Sequence, residues 1–165
     1  MAINNVESSV RQFKGPDFWW EDLQPGDVLR GSGMTITDAH LIQWAGLTGD
    51  IVSLHLDDEY ASGTQFGERI AHGPLTLALA LGLTTQTGYF NNVVAFLGMD
   101  EVRALRPVLI GETLHPEAEL TDARLSKKGG QGIWTFAYTM FNQRREPVMV
   151  FKTSLMIRCR PVTAG

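Results

Sequence analysis

Apolar positions change their period near residue 90, which splits the chain into a helical half and a sheet half. Upstream, Leu41, Ile42 and Ala45 recur at helical spacing beside Trp44, and this predicts a helix from Asp38. Thr37 stands at its N-cap, and Gly46 with Thr48-Gly49 marks its end. Before it, Asp27 to Ile36 reads as one strand with a glycine-rich middle at Gly31 and Gly33. After it come a loop carrying Asp50 and His55, a short helix from Leu56 to Ser62, and a connection from Gly63 to Arg69. Gly73-Pro74 then opens Leu75 to Thr87, a helix apolar on nearly every face that other structure has to enclose. Pro74 is accommodated there because the N–H it lacks has no partner in a first helical turn.

Downstream, the strand candidates are Val93 to Leu97, Val102 to Val108, Thr113 to Leu125, Ile133 to Phe141 and Val148 to Arg160. Trp134, Phe136, Tyr138 and Met140 alternate with Thr135, Ala137 and Thr139, so one face of that strand belongs on a core. Lys128-Gly129-Gly130-Gln131 and Asn142 to Glu146 have the composition of hairpin tips. The pattern predicts an α+β fold, an antiparallel sheet wrapped around one central apolar helix. Phe18, Trp19 and Trp20 anchor its start. The expected layout is a flexible arm over 1–17, one domain over 18–161 and a short tail over 162–165.

Composition narrows the function. The chain has 165 residues, enough for one domain, and 14 Lys and Arg against 18 Asp and Glu. A net charge of -4 supplies no basic footprint for nucleic acid. The longest apolar run, Leu75 to Leu83, falls well short of the roughly 20 residues a bilayer crossing needs. The lone Cys159 cannot form an intrachain disulfide, and Met1 to Phe13 lack the pattern of an export leader, so the expectation is a cytoplasmic protein.

Candidate chemistry concentrates at two places. Asp50 and His55 share a non-repetitive segment, where a carboxylate and an imidazole can converge on one water molecule, take a proton from it and hold its other hydrogen. The competing reading makes Asp50 a cap for Val52 or Ser53 and His55 a space-filler. Further on, the Gly73 N–H lies at the positive end of the apolar helix, suited to polarising a carbonyl oxygen; tight helix–sheet packing is the competing reason for a glycine there. His72 is expected to hydrogen-bond main chain at the helix entrance, His40 to be solvated and His115 to lie at a surface. Asp57, Asp58 and Glu59 point in different directions on a helix, and no metal site is expected from them.

These segments resemble the MaoC-like dehydratases, or R-specific enoyl-CoA hydratases, of the hot-dog fold, from about Trp20 to Pro161. Gly49-Asp50 and His55 match the signature Gly-Asp-x-Asn-Pro-x-His, Leu56-Asp57 follows, Ile70-Ala71-His72-Gly73 matches the entrance to the central helix, and Val108 to Thr113 matches a turn into a long strand. Val52-Ser53 replaces the Asn-Pro, with Ser53 placed to recover one hydrogen bond, and Leu81 stands where some members carry serine. The resemblance implies reversible hydration of a 2-enoyl-CoA to a 3-hydroxyacyl-CoA. Asp50 and His55 would activate the water, Gly73 would face the thioester carbonyl, and His72, Ser53 and Phe96 would contact substrate. It implies no cofactor beyond the CoA of the substrate, and a homodimer or higher homo-oligomer with the acyl site near the subunit boundary. Arg103, Arg106, Lys127, Lys128, Arg144 and Arg145 are the basic candidates for the CoA phosphates. Two alternatives stay open: an acyl-CoA thioesterase, and a non-catalytic acyl-CoA-binding subunit.

Overall fold

The computed structural model describes residues 18–161; the expected arm and tail lie outside them. In chain order the elements are β1 (Val28–Arg30), β2 (Met34–Thr35), α1 (Asp38–Thr48), α2 (Ser53–Leu56), α3 (Asp58–Ser62), α4 (Gly73–Thr85), β3 (Val93–Ala104), β4 (Thr113–Leu125), β5 (Gln131–Phe141) and β6 (Pro147–Arg158). All strand pairings are antiparallel, in the order β1-β4-β5-β6-β3, with β2 also on β4. The long hairpins follow from their tips: Gly129 and Gly130 supply left-handed backbone at φ +72° and +67° between β4 and β5.

Side chains on the inner face of the sheet make the core. Trp134, Phe136 and Met140 of β5 are fully buried and Tyr138 nearly so, with Leu114, Ala118 and Leu120 of β4 and Phe151 and Ile157 of β6 around them. Against this face lies α4, packed on β4 and β5 through Leu75, Ala80 and Leu83. Leu77, Leu79 and Leu81 are only half-buried, so the chain covers one side of this helix and leaves the other partly open.

Three elements differ from the expectation. The strand over Asp27 to Ile36 is broken into β1 and β2, because Gly31 is pressed against α4: a Cβ there would sit 2.6 Å from Pro116 and 2.9 Å from the Leu83 carbonyl oxygen. The helix from Leu56 to Ser62 is two helices, since Asp57 leaves α2 in extended backbone and caps α3 by accepting from the Tyr60 N–H at 3.0 Å. The two strands expected between Val93 and Val108 are one, β3, bent by register shifts and by Glu101 at φ +55°. His40 also departs from a solvated role: its Nδ1 accepts the Thr37 N–H at 3.0 Å and closes the start of α1.

Two clamps hold the edges. The Trp20 carbonyl accepts from the Trp134 indole at 3.2 Å, while the Arg160 N–H donates to Glu21 at 2.9 Å and its guanidinium pairs with Asp22. Buried Glu112 accepts from Arg144 Nη2 at 2.9 Å, from Asn142 Nδ2 at 3.3 Å and from the Leu109 N–H at 3.2 Å. Leu109 in turn bridges to Ile70, and the Ala71 N–H donates to the Val108 carbonyl at 2.7 Å. Replacing Glu112 by Ala removes one of the two acceptors of buried Asn142 Nδ2, the other being Glu146 at 2.9 Å, and takes the acceptor from the Leu109 N–H. The expected cost is about 1–3 kcal/mol, read in a thermal melt as about 2–4 °C per kcal/mol.

Candidate active site

The site is assembled from α2, the loop before it and the entrance to α4. Gly49 ends α1 in left-handed backbone at φ +78°, its N–H returning to the Ala45 carbonyl at 2.8 Å, and Asp50 follows at once. Asp50 is tied back by its N–H to Thr48 Oγ1 at 3.2 Å. Its carboxylate caps neither Val52 nor Ser53 and has no hydrogen-bonding partner among the described residues, which leaves it available.

His55 lies on α2, a single helical turn, and not in a loop as expected. The turn forms without the side-chain capping that Asn-Pro would offer: Val52 is the N-cap with no side-chain bond, and the His55 N–H donates to the Val52 carbonyl at 3.0 Å. Exposed Ser53 recovers no side-chain bond among the described residues, although its carbonyl accepts from the Asp57 N–H at 2.9 Å. The His55 ring is set by a main-chain acceptor, with Nδ1–H donating to the Ile70 carbonyl at 2.8 Å. In the neutral ring this bond places the lone pair on Nε2, the tautomer a general base needs.

His72, at the N-cap of α4, has no exposed surface. Its Nε2–H donates to the Asp50 carbonyl at 3.1 Å, and its ring lies 3.9 Å from that of His55, tilted by 32°. The main-chain bond is the one expected at the helix entrance. The ring is fully enclosed in the chain. Ligand atoms of Asp50, His55 and His72 all lie within 4.8 Å of one another. Those three could offer a metal one atom each.

Gly73 begins α4, one residue from the ring that touches both Asp50 and His55. Neither its N–H nor that of Leu75 has an acceptor among the described residues, and Pro74 has none to offer. A Cβ built on Gly73 meets nothing within 4 Å. Packing around the Cβ position therefore does not require glycine here.

The other predicted residues lie elsewhere. Phe96, 56% exposed on β3, lines an apolar cavity of about 260 Å³ with Leu81, Phe90, Val93, Tyr138 and Leu155. Leu81 is eight residues along α4 from Gly73, about 12 Å at helical rise, so Phe96 belongs to the far end of the helix. Arg144 and Arg145 are taken up by ion pairs with Glu112 and Glu146 and with Glu117, and Asp58 by Arg69. The Ile70 carbonyl was invisible to motif reading, because any residue supplies a main-chain acceptor.

This antiparallel sheet with its central helix is the hot-dog fold of the α+β class: a Mycobacterium tuberculosis protein described as having a double hotdog fold superimposes with a TM-score of 0.77 over 92% of this chain and 46% of its own, at 23% identity. The family model for the MaoC-like domain matches residues 22–138, and the chain belongs to that family. Protein MaoC of Klebsiella aerogenes is 33% identical over 87% of this chain; the match spans only 41% of that protein's length. A monoamine oxidase regulatory protein from Archaeoglobus has a TM-score of 0.82 at 36% identity, covering 87% of this chain and 96% of its own. The R-hydratase PhaJ1 of Pseudomonas aeruginosa has a TM-score of 0.69 at 26% identity, covering 90% and 97%. The family includes hydratases and dehydratases.

Burial, reinforced by neighbouring His55, holds the His72 imidazole below the ordinary value of 6.5 despite the opposing pull of its bond to Asp50. As pH falls through 6.5 the unfolded chain takes up a proton here that the folded chain refuses, so this residue's contribution to stability declines on acidification. His72→Gln removes that contribution. Urea melts at stepped pH are expected to show a shallower stability loss below pH 6.5 than for the wild type.

Proposed function

We propose that the chain catalyses reversible hydration of a 2-enoyl-CoA thioester to a 3-hydroxyacyl-CoA. The observation that carries this reading is the convergence of a free carboxylate and a tautomerically set imidazole beside a helix-entrance amide that has no acceptor among the described residues. In the hydration direction His55 Nε2 takes one proton from the water, and the Asp50 carboxylate accepts a hydrogen bond from its other hydrogen. The oxygen bonds to C3 as the C2–C3 π pair moves toward the thioester. Charge then grows on the thioester oxygen, where the Gly73 N–H and the positive end of α4 favour it. Return of the abstracted proton to C2 completes the addition and resets His55. The R-hydratase among its structural relatives supports the same direction of argument.

For Phe96 we infer a place at the distal end of an acyl chain running along α4, since its cavity is almost wholly apolar. A second copy of the chain is the proposed partner: β3 is a sheet edge that exposes Val94, Phe96, Leu97 and Val102 beside the half-covered flank of α4. A light-scattering mass of one chain would rule this out.

Loss of absorbance of the conjugated thioester, followed over a panel of 2-enoyl-CoAs, tests the reaction. Asp50→Asn and His55→Ala are expected to lower kcat by roughly 10²–10⁴-fold with unchanged melting temperature. Gly73→Ala is expected to fold normally, because its methyl meets open space, yet to impair turnover by intruding where the carbonyl should sit. Thiol release from saturated acyl-CoAs would point to a thioesterase, and tight acyl-CoA binding without turnover to a binding subunit.

A further inference from the structure

His72 poses a question that fold stability does not answer. Its side chain is completely enclosed, and its Nδ1 has no hydrogen-bonding partner. A buried acceptor left unpaired is a cost that an apolar side chain of similar volume would not incur. Such local violations are expected where a group serves a site rather than a core.

What the imidazole does supply is two contacts from one compact ring. The Nε2–H at the ring tip fixes the Asp50 carbonyl at 3.1 Å, and the ring face supports the His55 imidazole at 3.9 Å. The first contact fixes the main chain that carries the carboxylate. The second limits the rotation left to His55 once its Nδ1–H is bound to Ile70. Asp50 and His55 share no direct side-chain hydrogen bond, and among the described residues His72 contacts both, through the Asp50 carbonyl and the His55 ring. Burial favours its neutral form, so no second positive charge opposes an imidazolium at His55.

We propose that His72 is a positioning residue that sets the separation between the Asp50 carboxylate and the His55 imidazole by holding one through its ring edge and the other through its ring face. The role in turnover rests on the hydratase reading above; the positioning itself does not.

Two variants separate the contacts. His72→Gln keeps a donor for the Asp50 carbonyl and loses the flat face; His72→Phe keeps the face and loses the donor. With wild type active on a 2-enoyl-CoA, each variant is expected to lose roughly tenfold to a hundredfold in kcat, with KM within about twofold and the Phe variant no less heat-stable. Nitrogen-15 NMR of the His55 ring is expected to show an altered tautomer ratio in both variants. Wild-type kcat in the Phe variant overturns the proposal, as does a loss of activity matched only by loss of folded protein. If the wild type turns over no enoyl-CoA, the hydratase reading fails. NMR then decides the positioning alone: an unchanged His55 ring and Asp50 amide in both variants overturn it, and a change in either supports it.

Discussion

The placement of α4 across the inner face of β4 and β5 is the constraint from which the site follows. Its apolar side chains have one large surface to leave water for, and Trp134, Phe136 and Tyr138 provide it. Once α4 is laid there, its first turn is held at one end of the core, with Gly31 drawn against the Leu83 carbonyl as its counterpart at the other. The entrance residues His72 and Gly73 thus inherit their positions from core packing, and the chemistry is built around a fixed point.

What surrounds that point is mostly main chain. Ile70 presents its carbonyl to His55 because it bridges to Leu109, and Leu109 is held by the Glu112 carboxylate within a buried net that reaches Arg144. A catalytic imidazole on a one-turn helix would have little rigidity of its own; here it is borrowed from the sheet margin. The loop signature usually supplied by Asn-Pro is absent, and Val52 and Ser53 form the turn through backbone bonds alone.

The long, strongly patterned elements were legible from the chain. β4 matches its expected bounds, β5 alternates as read, and α4 could be recognised from its apolar run between Pro74 and Thr85. The neighbourhood of Asp50 and His55 could be read because side-chain chemistry at fixed spacing survives in a sequence, and Gly73 could be placed at a helix start from the Pro74 that follows it. What failed depended on contacts distant in the chain. Nothing near Gly31 reveals that Leu83 will crowd it, nothing near His55 reveals a carbonyl 15 residues on, and His72 disclosed its donor role but not the ring it supports. Asp57 ended one helix and began another, a choice that local periodicity over eight residues does not resolve.

The clamp between Glu21, Asp22 and Arg160 brings the two ends of the described domain to one corner. A unit whose entry and exit share a doorway can be inserted in a larger polypeptide, or followed by a duplicate of itself, without rethreading a single strand. Modular reuse of this architecture, as in the paired hotdog of the mycobacterial relative, thereby needs only a linker and leaves the entrance of the helix untouched.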